Sequence, residues 1–246
     1  MWSADPAAGL LEEIRKGEGD LQVVFRKEIK YLISRRTSII LQQKLDRIME
    51  RDTHGDDGRY FIRSQYYDSI DDQDLWDNLD GLYEKRKIRL RIYSLQDTSV
   101  KLEFKCKNGA DGVKYSLPIK REEALKMEQG DTSFLLDYNT ELAMRLYLRI
   151  TQGCYRPKTI IDYQRLAFAY PAGDVRITFD TDIRSTSYPY GLFDDVSTVA
   201  LGTGEQVLME VKYTGFLPDM IAATLKETDE LSTSHSKYSR ARMTYL

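Results

Sequence analysis

Eight stretches of the chain alternate apolar and polar side chains with a period of two: residues 23–33, 60–67, 85–93, 100–107, 113–119, 159–168, 174–180 and 207–213. Successive side chains of a strand point to opposite faces, so each stretch reads as a β-strand with one apolar and one polar face. Other segments carry apolar residues at helical spacing. Thr37 or Ser38 can cap a helix bearing Ile40, Leu41, Leu45, Ile48 and Met49, and Asn139 or Thr140 can cap Glu141–Arg149. Pro218 suits the start of a helix with Met220, Ile221 and Leu225, and Glu122–Glu128 is a shorter candidate. The run Asn108-Gly109-Ala110-Asp111-Gly112 reads as a hairpin turn, and residues 185–205 read as loop. Residues 1–20 form a polar N-terminal extension, and residues 21–246 read as a single domain. Between positions 68 and 80 the chain carries six aspartates and no cation, the composition of a solvated face or linker.

Splitting each strand by parity separates the charges from the apolar residues. Lys85, Lys87, Arg89 and Arg91 share one face of their strand, opposite Ile88, Leu90 and Ile92. Lys101, Glu103, Lys105 and Lys107 do the same in the next strand. Arg26, Glu28 and Lys30 share a face, as do Arg176, Thr178 and Asp180, and Glu210 and Lys212; Arg165 adds a further cation beside Tyr163. A single such strand suits one wet face of an antiparallel sheet. The set as a whole is mostly cationic, and like charges at i and i+2 repel by about 2–3 kcal/mol per pair at an effective dielectric near 20. Such a run suits open solvent, or a partly enclosed space that holds an anion. The expected fold is α+β: an antiparallel β barrel lined by the polar faces, with helices packed on its apolar outside.

Composition narrows the chemistry. Lys plus Arg is 36 and Asp plus Glu is 39, a net charge of −3, with 41% apolar and 30% charged residues, as in a soluble globular protein. No apolar run is long enough for a membrane span, and no secretory leader is expected at the N-terminus. Cys106 and Cys154 cannot form a disulfide framework, which points to a reducing, cytoplasmic setting, and His54 and His235 are too few for most zinc or triad chemistry. There is no P-loop, no complete dinucleotide-binding glycine pattern and no nucleophile elbow. Catalysis would have to use carboxylates, lysines, arginines or a metal on oxygen ligands. A negative net charge without an RNP-type aromatic motif argues against a nucleic-acid partner.

Seven short stretches carry a resemblance. They are Arg26-Lys27-Glu28-Ile29-Lys30-Tyr31, Lys87-Ile88-Arg89-Leu90-Arg91-Ile92-Tyr93, Leu102-Glu103-Phe104-Lys105, Tyr163-Gln164-Arg165-Leu166-Ala167-Phe168, Val175-Arg176-Ile177-Thr178-Phe179-Asp180-Thr181-Asp182, Leu208-Met209-Glu210-Val211-Lys212-Tyr213 and Ser236-Lys237-Tyr238-Ser239-Arg240. In this order, over about residues 21–242, the chain resembles the VTC (vacuolar transporter chaperone) domain. That domain is the polyphosphate polymerase branch of the triphosphate tunnel metalloenzyme superfamily.

The resemblance implies an antiparallel tunnel barrel whose inward cations bind triphosphate and polyphosphate. Lys30, Arg89, Arg91, Lys105, Arg165, Arg176 and Lys237 match the family's phosphate-binding cations. Arg26, Lys87, Lys212 and Arg240 are further substrate-binding candidates, and Glu210, with Glu103 and Glu28, is the candidate ligand set for Mn²⁺ or Mg²⁺. Tunnel hydrolases of the superfamily carry E-x-E-x-K on the first strand. Here the stretch reads Arg26-x-Glu28-x-Lys30, which favours the polymerase branch. The implied partners are ATP and inorganic polyphosphate. A separate membrane-protein partner, and membrane association through it, stays open. So do two alternatives: a triphosphatase acting on inorganic triphosphate or nucleoside triphosphates, and a polyphosphate-binding module without turnover.

Overall fold

The computed structural model describes residues 26–53, 55, 57–109, 111–187, 189–202, 204–226, 232–234 and 236–246. The N-terminal extension, His54 and His235 lie outside the described residues, and of Arg26 only the backbone is described. Ten strands form one antiparallel sheet: β1 (Arg26–Ser34), β2 (Glu50–Arg51), β3 (Arg59–Asp68), β4 (Glu84–Ile92), β5 (Ser99–Asn108), β6 (Asp111–Lys120), β7 (Arg156–Tyr170), β8 (Val175–Ser187), β9 (Val199–Ala200) and β10 (Gln206–Thr214). Over their described residues all eight alternating stretches are strands, β7 and β8 running longer than their alternation suggests.

The helices are α1 (Arg35–Leu45), α2 (Gln73–Leu79), α3 (Arg121–Glu128), α4 (Glu141–Gln152), α5 (Asp219–Lys226) and α6 (Lys237–Met243). Ser34 rather than Thr37 or Ser38 caps α1, its Oγ accepting from the Thr37 amide at 3.0 Å. Thr140 caps α4 as the sequence suggests.

The barrel expected from the polar lining is not formed. The sheet is open, with hydrogen-bonded order β1-β10-β8-β7-β3-β4-β5-β6; β2 adds to β7 and β9 to β8. Both edges have reasons for not pairing with each other. The outer edge of β1 is engaged by the segment before α6: Tyr31 bridges Ser232, and the Thr233 amide donates to the Lys30 carbonyl at 2.8 Å. The edge strand β6 contains Pro118, which lacks an amide donor.

The open sheet is nevertheless strongly curved. Six strand spacings separate β1 from β5, about 29 Å in a flat sheet. Yet Lys105 Nζ of β5 lies 3.0 Å from Glu28 Oε2 of β1. The register shift between Asp162 and Gln164, with Asp182 opposite at φ 48°, is a bulge that helps the long β7–β8 pair bend.

Curvature sorts the faces. On the convex side, α3 and α4 cover β4, β5 and β6 through Met127, Leu146, Ile150, Leu90 and Leu102. There too, α1 and α5 cover β1, β8 and β10 through Leu41, Leu45, Ile221, Phe179 and Met209. Not every helix is outside, however. Leu75 of α2 and Tyr238 and Ala241 of α6 pack with Ile62, Tyr66, Ile161 and Tyr163, the last residues belonging to the concave face.

The aspartate run is not the solvated linker its composition suggests. Asp68 is fully buried and accepts hydrogen bonds from the amides of Ser69, Asp74 and Leu75 and from Tyr238 Oη. Asp72 takes both arms of the Arg242 guanidinium at 2.7 and 2.8 Å. These aspartates start α2 and moor α6 to it. Among the described residues no helix is long and apolar enough to cross a membrane.

Candidate functional site

The pairing of β4 with β5 places like charges face to face. Lys85 is opposite Lys107, Lys87 opposite Lys105 and Arg91 opposite Lys101; on the other side of β5, Lys105 is opposite Lys114 of β6. One buried carboxylate lies among them. Glu103 takes Arg89 Nε at 2.7 Å and Lys114 Nζ at 2.7 Å, with Arg91 Nη1 at 3.7 Å. Burial works against the ionised form of Glu103, but Arg89, Arg91 and Lys114 outweigh it and hold its pKa far below the usual carboxylate range. Tyrosines finish the coordination: Arg89 donates to Tyr66 Oη at 2.9 Å, and Arg91 donates to Tyr163 Oη at 3.1 Å and Ser64 Oγ at 3.2 Å.

A second group is built by β7, β8, β10 and α6. Asp180 takes Arg165 through both oxygens at 2.6 and 2.8 Å and Lys237 Nζ at 2.5 Å. Lys237 also reaches Glu210 Oε1 at 3.3 Å, and Lys212 reaches Glu210 Oε2 at 3.0 Å. Burial opposes the charge of Glu210, yet Lys212, Lys237, Lys30 and Arg165 keep it ionised, with its pKa well below the ordinary value.

Glu28 joins the two groups. It binds Lys105 at 3.0 Å and Lys30 at 3.2 Å, with Lys212 at 4.0 Å. Burial would raise its pKa; Lys212, Lys105 and Lys30 bring it down to about 2. Arg176 lies beyond Lys212, its register partner on β10, and pairs with Asp52 and with Tyr60 Oη. Lys87 donates to Ser236 Oγ at 2.9 Å. Burial, then the charges of Lys30, Lys105 and Arg89, lower its pKa to about 7.

The structure therefore gathers Lys30, Lys87, Arg89, Arg91, Lys105, Arg165, Lys212 and Lys237 with Glu28, Glu103 and Glu210 on one concave face, and sets Arg176 beside them. Arg240 is set differently: it lines a small cleft with Leu32, Asp182, Leu201 and Gln206. Sequence reasoning passed over Lys114, Ser64 and Tyr66. Their parity on β3 and β6 carried the signal, but their strands lack the run of charges that drew attention to β4 and β5. Asp52 had no such signal, since it lies outside the regular strands.

Among the described residues no group of three or more His, Cys, Asp or Glu is gathered closely enough to hold a metal ion by itself. The oxygen donors do suit a hard cation shared with a ligand, because Mg²⁺ commonly uses one or two carboxylates together with substrate phosphates. Glu28 and Glu210 both approach Lys212, and Thr178, the register partner of Glu210, has a buried hydroxyl without a hydrogen-bond partner. Glu103 is committed to a different set of cations, so it suits the candidate ligand role less well than these two.

A curved antiparallel sheet with a cation-lined concave face is suited to holding a polyanion. The VTC domain pattern matches residues 25–245, and the chain belongs to that family. The fold is also similar to that of a candidate adenylate cyclase from Bacillus halodurans, at 14% identity and a TM-score of 0.48, over 86% of this chain and 96% of that one. The Mimivirus capping enzyme triphosphatase is similar at 10% identity and a TM-score of 0.39, over 92% of this chain and 96% of that one. At these scores neither likeness bears on activity. No curated protein matches the chain.

Proposed function

We propose that this chain is a polyphosphate polymerase, transferring the γ-phosphoryl group of ATP to the end of an inorganic polyphosphate chain. The observation that carries the reading is the ladder of like charges on β4, β5 and β6. Cations placed directly opposite one another destabilise a sheet, and here they recur at Lys85/Lys107, Lys87/Lys105 and Lys105/Lys114. A string of phosphates would neutralise such a ladder along its length; a single small anion would not.

The chemistry asks little covalent help from the protein. A terminal oxygen of the polyphosphate, already anionic, attacks the γ-phosphorus of ATP; the bond to the β–γ bridging oxygen breaks and ADP leaves. Phosphoryl transfer passes through a loose transition state, so catalysis is chiefly positioning and charge stabilisation. Arg89, Arg91, Arg165 and Arg176 present planar guanidinium groups suited to paired phosphate oxygens, while Lys30, Lys105 and Lys237 supply point charges. Glu103 and Asp180 hold three of these arginines in place, Arg89, Arg91 and Arg165. Glu210 and Glu28 would hold Mn²⁺ or Mg²⁺, which when bound supplies further charge neutralisation at phosphate oxygens. No histidine base is needed.

Hydrolysis of triphosphate is the second reading, favoured by the four carboxylates Glu28, Glu103, Asp180 and Glu210 on the same face. Incubating the purified protein with ATP and Mn²⁺ and resolving the products on a gel separates the readings. Long chains support the polymerase. Free phosphate alone means a triphosphatase, and tight polyphosphate binding without ATP consumption means a binding module.

A further inference from the structure

Lys87 differs from the cations at the centre of the face in lacking a carboxylate among the described residues, a lack it shares with Lys85, Lys101 and Lys107 toward the ends of the same strands. Lys30 and Lys105 share Glu28, Arg89 and Arg91 share Glu103, and Lys237 and Lys212 share Glu210. Lys87 has no carboxylate within ion-pair distance among the described residues; its ammonium donates to a neutral hydroxyl, Ser236 Oγ, at 2.9 Å. Cations face it from three strands: Lys30 from β1, Lys85 and Arg89 from β4, and Lys105 directly opposite on β5; Glu28 and Glu103 hold Lys30, Lys105 and Arg89 but make no ion pair with Lys87. An ammonium so placed is repelled from several directions, with only a hydroxyl acceptor and no direct carboxylate partner.

We propose that Lys87 adjusts its own charge to the ligand: its amine is partly deprotonated while the face is empty and takes up a proton from solvent when a phosphate chain arrives. The proposal rests on the reading of this face as a phosphate-chain site and adds a role to a residue otherwise counted only as one more cation. Burial and the surrounding cations already bring the Lys87 pKa to about 7. An incoming polyanion reverses the sign of the local potential, which raises the proton affinity of the amine. No other reactant is involved; the proton comes from buffer and the nitrogen lone pair accepts it.

Two consequences follow from linkage. Binding near pH 8, where the free amine is mostly neutral, takes up close to one proton at this residue. Affinity then falls about tenfold per pH unit above the free pKa, until the pKa of the occupied state is reached. A partly deprotonated Lys87 also lets the empty face carry less repulsion than its residue count suggests.

The test is calorimetric titration of the intact protein with inorganic triphosphate near pH 8, in HEPES and in Tris, whose ionisation enthalpies differ. Comparison with Lys87→Arg removes the protonation of triphosphate itself, because arginine stays charged throughout. The wild type should take up close to one proton more than Lys87→Arg. The ratio of wild-type to variant Kd should rise about tenfold between pH 8 and pH 9. Lys87→Met, neutral at all pH values, should bind more weakly and lack the extra proton as well. Equal proton uptake in wild type and Lys87→Arg, with both binding, overturns the inference and leaves the phosphate reading intact. Failure of the wild type to bind triphosphate or longer polyphosphate overturns both.

Discussion

Lys237 Nζ, at the first turn of the last helix, lies 2.5 Å from Asp180 Oδ2 in β8, and the same carboxylate holds Arg165 through both of its oxygens. One fully buried aspartate thus fixes two cations from different elements at the inner end of the site. Asp180→Asn should leave two buried cations short of a counter-charge and cost about 3–5 kcal/mol of stability. Urea unfolding measures this; an unchanged midpoint would show that the pair is not confined as described.

Arg89 and Arg176 sit on different strands and hold different carboxylates, Glu103 and Asp52. Glu103 keeps Lys114 and Arg91 when Arg89 is removed, so its charge stays compensated. Arg89→Ala and Arg176→Ala should each lower turnover of ATP by about 10²–10³-fold, as loss of a transition-state donor does, while circular dichroism stays like that of the wild type. Activity close to wild type in both variants would refute their place in the site.

The mooring of α6 can be loosened without removing a charge from the cationic face. Tyr238 Oη donates to buried Asp68 at 2.5 Å and its ring stacks on Tyr66. Tyr238→Phe keeps the ring and removes the hydroxyl, leaving Asp68 one donor short. The expected cost is about 1–3 kcal/mol, with faster proteolytic release of the C-terminal segment as the local readout.

Acid should weaken the fold before it disrupts the convex core. Glu28 is held at about 2, against an ordinary value of 4.5, and Glu103, Asp180 and Glu210 are also lowered. Groups whose folded pKa is depressed contribute stability above the unfolded pKa and lose it as pH falls through the folded value. Thermal midpoints should therefore drop steadily from about pH 5 downward. A flat profile to about pH 3 would contradict the ion-pair network.

Binding of polyphosphate should weaken steeply with salt. Chains of phosphates release counterions when cations neutralise them, and the logarithm of affinity falls with the logarithm of salt by about 0.7–0.9 per neutralised phosphate in nucleic acids. Arg89→Ala should reduce that slope, as read by calorimetry at two or three salt concentrations.

Much of this was legible in the chain because side-chain direction along a strand is a local property. The parity of Lys87, Arg89 and Arg91, or of Glu210 and Lys212, follows from the pleat alone, whatever the strand pairs with. The hairpin at 108–112 and the cap at Thr140 are local in the same sense. Cross-sheet geometry is not local. That Lys105 meets Glu28 depends on how far an eight-strand path curls, and the failure to close depends on Ser232 and Thr233 engaging the free edge of β1.

The aspartate run teaches the same lesson from the other side. By composition it belongs in water, although Asp68 also takes the nearby amides of Ser69, Asp74 and Leu75. Its long-range partners, Tyr238 and Arg242, lie 170 residues away and become neighbours only when α6 folds back over the concave face. Sequence alone determined which residues face together and what charge that face carries, since both follow from backbone geometry over two or three residues. Tertiary structure decided which carboxylate restrains which cation, which lysines are left without one, and where the sheet stays open, because those are outcomes of distance between segments that only packing brings together.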